Sequence, residues 1–138
     1  MRLVLDAEPV VALTRRSGAD RDAVFARLQA ARRLRRDVVV PAVVLAELYR
    51  GRDRVAAVDS LLVRQGDALQ VRDTDRPLAR LVGGLLEDAG AGSEHLADAH
   101  VVACAVEGGG GVVLTGDPDD LRRLAAPHRS VVVEPLGV

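Results

Sequence analysis

Short unbroken apolar runs recur along this chain, each followed by a segment with helical periodicity, and this alternation constrains the fold more than any other feature. Leu3-Val4-Leu5, Val38-Val39-Val40, Val112-Val113-Leu114 and Val131-Val132-Val133 are strand-length runs. A strand with one solvated face alternates apolar with polar residues, whereas a run apolar at every position belongs to a sheet covered on both sides. Strands are therefore expected at Arg2–Leu5, Val38–Val40, Ala68–Val71, Val112–Thr115 and Val131–Glu134, the last edge-type. Helices are expected at Glu8–Thr14, Asp20–Arg36, Ala42–Arg50, Arg54–Gln65, Arg76–Ala89, Glu94–Glu107 and Asp119–Ala125. The order predicts an α/β fold, a three-layer α/β/α sandwich around a mostly parallel five-stranded sheet. With 138 residues, no repeat and no low-complexity linker, a single domain spanning 1–138 is the expectation.

Punctuation residues support these boundaries. Pro41 suits a first helical turn, Gly51 and Gly66 close helices, Thr74 or Asp75 caps one, and Ser93 caps another. In Asp20–Arg36 the acids come first and the arginines last, the order that the helix dipole favours. The apolar runs fall well short of the ~20 residues of a membrane span, and the N-terminus lacks a signal-peptide layout, so a cytoplasmic protein without a membrane partner is expected. The lone Cys104 lies in an apolar stretch and reads as core.

Four carboxylates fall at one edge of such a sheet. Functional crevices of doubly wound folds lie at the carboxyl ends of the strands. Asp6 ends the first strand, Asp117 follows the fourth by two residues, and Glu47 is on the second turn of the helix after strand two. Asp98 lies five residues from Ser93, near the start of a helix that begins at the same edge. Asp98 shares a face with Val101, Val102 and Ala105, and Glu47 is flanked by Val43, Val44 and Leu48, so both are expected on apolar faces. A charge there is costly unless it is paired or binds a metal. Oxygen-only ligands select hard divalent cations, which points to Mg²⁺ or Mn²⁺. The plainer alternatives stay open: Asp6 and Asp117 as helix caps, Asp98 as half of an ion pair, Glu8 as a fifth acid or a solvated first-turn residue. Asp119 and Asp120 read as dipole-favouring acids, with Asp119 a weak outer metal contact. His95 and His100, five apart, miss the i, i+4 spacing of paired metal ligands, and His100 reads as structural.

Composition removes several competitors. The basic residues number 19 and all are arginine, since the chain contains no lysine. Isoleucine and asparagine are also absent, a bias that a GC-rich coding sequence explains, so the arginines alone do not signal phosphate binding. Without lysine, P-loop nucleotide binding, Schiff-base chemistry and serine–lysine catalysis are excluded. Receiver domains fail on the same residue, and haloacid-dehalogenase-type phosphatases need a second aspartate where this chain has Glu8 and commonly a lysine as well. The net charge of -1 offers no global attraction for nucleic acid.

Leu3-Val4-Leu5-Asp6-Ala7, Pro41-Ala42-Val43-Val44-Leu45-Ala46-Glu47, Asp98-Ala99-His100 and Leu114-Thr115-Gly116-Asp117-Pro118-Asp119-Asp120-Leu121, in that order and spacing, resemble the PIN-domain nucleases, and among them the VapC-type toxins of bacterial toxin–antitoxin modules. The resemblance covers essentially the whole chain. It implies that Asp6, Glu47, Asp98 and Asp117 are the catalytic, metal-binding quartet and that Thr115 supports the last acid. It further implies a Mg²⁺-dependent endoribonuclease, with Mn²⁺ able to substitute, that hydrolyses RNA phosphodiester bonds without a covalent intermediate. An antitoxin partner and a homodimer are implied as well. Two positions depart from the pattern: Glu8, where a small polar residue is common, and Gly116, where a larger one is. Arg15, Arg16, Arg50 and Arg52 are candidate phosphate contacts, while Phe25 and Tyr49, the sole aromatics, supply little base stacking. A PIN-like protein that acts through protein binding, its acids serving fold or assembly, is the alternative from another class.

Overall fold

Backbone pairing follows the alternation of apolar runs and helical segments. The computed structural model describes residues 1–136, so the last two residues of the expected domain lie outside the described region. Its strands are β1 (Arg2–Leu5), β2 (Asp37–Pro41), β3 (Gln70–Arg72), β4 (Gly111–Thr115) and β5 (Val131–Pro135). The helices are α1 (Ala7–Thr14), α2 (Ala19–Arg33), α3 (Ala42–Leu48), α4 (Arg52–Gln65), α5 (Arg76–Ala89), α6 (Leu96–Glu107) and α7 (Pro118–Ala125). The strands form one sheet in the order β3-β2-β1-β4-β5, and every pairing is parallel. Consecutive strand residues face opposite sides, and Leu3, Val4 and Leu5 are all buried, so both faces of the central strand are covered. The expected α/β/α sandwich is the fold observed.

This strand order has a direct consequence for function. The chain builds outward from β1 through β2 to β3, then crosses back to add β4 and β5 on the other side of β1. The switch point lies between β1 and β4, and the crevice outside their carboxyl ends is where open α/β sheets bind ligands.

Several boundaries shift for identifiable reasons. Helix α2 stops at Arg33 rather than Arg36, because Arg35 takes a left-handed φ of 54° and the amides of Arg35 and Arg36 bond back to the carbonyls of Arg32 and Ala31. This is a Schellman ending with arginine where glycine is usual, so the sequence carried no stop signal. The chain after α4 makes a 3-10 turn, Gly66–Ala68, which moves the third strand from Ala68–Val71 to Gln70–Arg72. Ser93 does not cap the sixth helix; it opens a 3-10 turn, Ser93–His95, and His95 is the residue before α6. Asp75 does cap α5, its carboxylate accepting from the Leu78 amide at 3.0 Å.

Helix α6 passes against β1, β2, β4 and β5 and is flanked by α5 and α7. Its interior residues from Ala99 to Ala105 are all buried. At its far end Glu107 accepts from Arg2 on β1 and Arg72 on β3, each at 2.6 Å, which holds the helix in register with the sheet. A cavity of about 590 Å³ is lined by Phe25, Leu28, Arg32, Arg35, Arg36 and Gln65, away from the four acids. Among the described residues no helix is long and apolar enough to cross a membrane.

Close approach of β1 and β4 depends on Gly111, where a Cβ would overlap the Arg2 carbonyl oxygen. Gly111→Ala is expected to lower unfolding free energy by about 2 kcal/mol or more, read from the urea midpoint. Gly83→Ala, on α5 with open space around it, is expected to raise it by roughly 0.5–1 kcal/mol.

Candidate active site

Asp6 follows β1 directly and sits at the N-cap position of α1, yet its carboxylate makes no capping bond. It instead accepts a hydrogen bond of 2.8 Å from the Thr115 hydroxyl at the end of β4. Thr115 is fully buried, and its oxygen also accepts from the Asp117 backbone amide at 3.0 Å. One hydroxyl therefore ties the carboxyl ends of the two strands at the switch point. Asp117 takes the N-cap position of α7, likewise without a side-chain cap bond, and is exposed at the rim. The helix-cap alternatives for both aspartates thus lack the hydrogen bond that defines a cap.

Asp6, Glu47 and Asp98 share one electrostatic environment. Burial is the main cause that raises the proton affinity of Glu47, and the charges of Asp6 and then Asp98 add to it, with Arg50 opposing. Burial likewise raises the proton affinity of Asp98 above the ordinary carboxylate range; the bond from His95 opposes, while Asp6 and Asp120 reinforce. Carboxylates whose charged form is disfavoured by burial and by neighbouring acids are sites that a cation stabilises. Glu47 differs from its expected setting: it lies on the exposed side of the two-turn α3, while Val44 and Leu48 face the core. The residue is exposed overall, yet its carboxyl is still partly screened from water, which is what disfavours its charge. Asp98 is half-buried in the first turn of α6, as its apolar neighbours implied.

Two further side chains enter this cluster. His95 Nδ1 lies 3.4 Å from Asp98 Oδ2 and 3.8 Å from Asp120 Oδ2. One ligand atom from each of His95, Asp98 and Asp120 falls within 4.8 Å of the others. The spacing of His95 to His100 concealed this, because the relevant partners are Asp98, three residues on, and Asp120, on a different helix. His100 is buried, with Nδ1 2.7 Å from the Leu96 carbonyl, a structural role as read. Asp119 points outward, its side chain 91% exposed and 4.0 Å from Arg122.

Glu8 and Gly116 fit one another. A Cβ at Gly116 would overlap the Glu8 carboxylate, so the longer acid on α1 occupies the room that the missing side chain leaves beside Asp117. Arg50 lies near enough to Glu47 to favour its charged form, whereas Arg15, Arg16 and Arg52 are simply exposed.

The profile of the PIN domain family matches residues 3–127. The chain belongs to the PIN domain family. The matched span holds all four candidate acids together with Asp120 and His95; β5 falls beyond it and completes the sheet. No curated protein matches the chain. Among solved structures, a chain of the VapBC2 crystal structure from Rickettsia felis, bound to a DNA fragment from their promoter, superposes with a TM-score of 0.66 at 16% identity. The match covers 99% of this PIN chain and 100% of that chain.

Asp98→Asn is expected to raise the melting temperature of the metal-free protein by about 2–4 °C at neutral pH. Asp98 and Glu47 bind protons more tightly folded than unfolded, so folding is opposed increasingly as pH rises from the ordinary carboxylate range through their raised values. The gain should vanish below the ordinary carboxylate range, where these groups are protonated in both the folded and the unfolded chain. Thr115→Val keeps the shape and removes both hydrogen bonds; it is expected to cost roughly 1–3 kcal/mol in chemical denaturation.

Proposed function

We propose that this PIN domain is a divalent-metal-dependent endoribonuclease and the VapC-type toxin of a toxin–antitoxin pair. The observation that carries the reading is the placement of Asp6, Glu47 and Asp98, from three separate stretches of chain, in one electrostatic environment at the switch point, with Asp6 pinned by buried Thr115. The donor set fits Mg²⁺ or Mn²⁺, since the acids supply oxygens, and at Glu47 and Asp98 partial burial and neighbouring carboxylates disfavour a charge that a cation would offset. A bound metal would supply activation of water and charge stabilisation at the phosphorus being attacked.

The chain's own residues divide the remaining work. Thr115 orients Asp6, so one carboxylate oxygen is committed to the hydroxyl and the other is free to bind. Asp98 and Glu47 hold their charge reluctantly and take up a cation readily. Asp117, exposed just beyond the end of β4, would be the fourth acid, and Arg50, whose charge reaches Glu47, would contact a phosphate. Mg²⁺ keeps several waters and takes one or two carboxylates, so the remaining acids act through water.

The VapBC2 complex supports an antitoxin partner for this chain by likeness of fold, and a homodimer, a single domain and a cytoplasmic setting belong to the same proposal. The purified protein is expected to cleave RNA with Mg²⁺ or Mn²⁺ and to stop in EDTA. Asp6→Asn and Asp98→Asn are expected to lower the rate at least about a hundredfold, roughly 2.7 kcal/mol of transition-state stabilisation. Cleavage by Asp98→Asn equal to the parent's would remove the assignment of this site.

A further inference from the structure

We propose that His95 is an imidazole ligand in a mixed site with Asp98 and Asp120, and that it tunes this centre toward Mn²⁺ and other first-row transition ions over Mg²⁺. The inference rests on the metal-dependent reading above and extends it to a donor outside the acidic quartet. His95 Nδ1 faces both carboxylates, at 3.4 Å from Asp98 and 3.8 Å from Asp120. Neighbouring ligands of a six-coordinate ion stand about 3 Å apart, so small rotamer adjustments bring these atoms onto one ion. The three residues come from the 3-10 turn before α6, from α6 itself and from α7, elements packed against one another.

The opposite side of the imidazole is also furnished. Glu94 Oε1 lies 3.8 Å from Nε2, and the Glu94 carboxylate folds back into the space that Gly92 leaves, where a Cβ would overlap it. Ligating histidines ordinarily present their second nitrogen to a carboxylate, which fixes the tautomer and raises ligand basicity. A nitrogen donor raises affinity for first-row transition ions, least for Mn²⁺ and more along the series to Ni²⁺, whereas Mg²⁺ is held by oxygen. The alternative is that His95 is only a counter-charge for the two aspartates.

The test is binding of Mn²⁺ and Mg²⁺, each added alone as chloride to the apo protein, by calorimetry, with pulsed EPR of the Mn²⁺ form. The parent is expected to show ¹⁴N coupling to Mn²⁺. His95→Gln should abolish the coupling and weaken Mn²⁺ about tenfold or more while leaving Mg²⁺ affinity within about twofold. Asp120→Asn should weaken Mn²⁺ with the ¹⁴N coupling retained in the fraction that binds. Mn²⁺ binding without ¹⁴N coupling, unchanged by His95→Gln, would overturn the ligand role and leave the nuclease reading intact. Failure of Mn²⁺ to bind the parent at all would overturn both.

Discussion

The hydroxyl of Thr115, buried between β1 and β4, donates to Asp6 and accepts from the amide of Asp117. Asp6 leaves β1 and Asp117 leads into α7, so this group sets the spacing between two segments that are more than a hundred residues apart in sequence. A buried hydroxyl with both functions satisfied costs little, and one left unsatisfied is expensive; the packing of β1 against β4 is thereby coupled to the orientation of the carboxylate at the switch point. Gly111 serves the same pairing at its other end, where the Arg2 backbone admits no side chain.

Around that anchor the structure gathers groups that repel one another. Burial, together with the charges of Asp6 and Asp98, raises the proton affinity of Glu47, and burial with Asp6 and Asp120 raises that of Asp98, while Arg50 beside Glu47 and the His95 hydrogen bond to Asp98 offset only part of it. Such a site is a local cost to the fold, one that the buried sheet and α6 absorb, and sites that bind cations are commonly built this way. Departures from the family pattern obey the same logic of space and charge. Glu8 brings an additional carboxylate to the rim, and Gly116 supplies the volume for it.

Much of this was legible in the chain. Periodicity separated strands from helices because covered parallel strands are apolar at every position. Asp6 was legible because it directly follows a strand, Asp117 because it comes two residues after one, and Asp98 because it interrupts an otherwise apolar helical face. Where reading failed, the cause was a contact distant in sequence or a turn that lacked its usual residue. Arg35 ends α2 in a conformation that glycine ordinarily takes. Glu47 was expected among apolar neighbours, but on the two-turn α3 its side is largely exposed, only partly screened from water. His95 was measured against His100 when its partners were Asp98 and Asp120.

By itself, the sequence determined the alternation of buried strands and helices, the absence of any lysine-dependent chemistry, and the presence of acids at strand ends. Those properties are local: they follow from hydrophobic period, residue type and position relative to an element boundary. The tertiary structure decided the strand order that puts the switch point between β1 and β4, the bridging role of Thr115, and the meeting of His95 with Asp120. Each of these depends on which distant segments lie side by side, and a linear pattern of hydrophobicity holds no record of that distance.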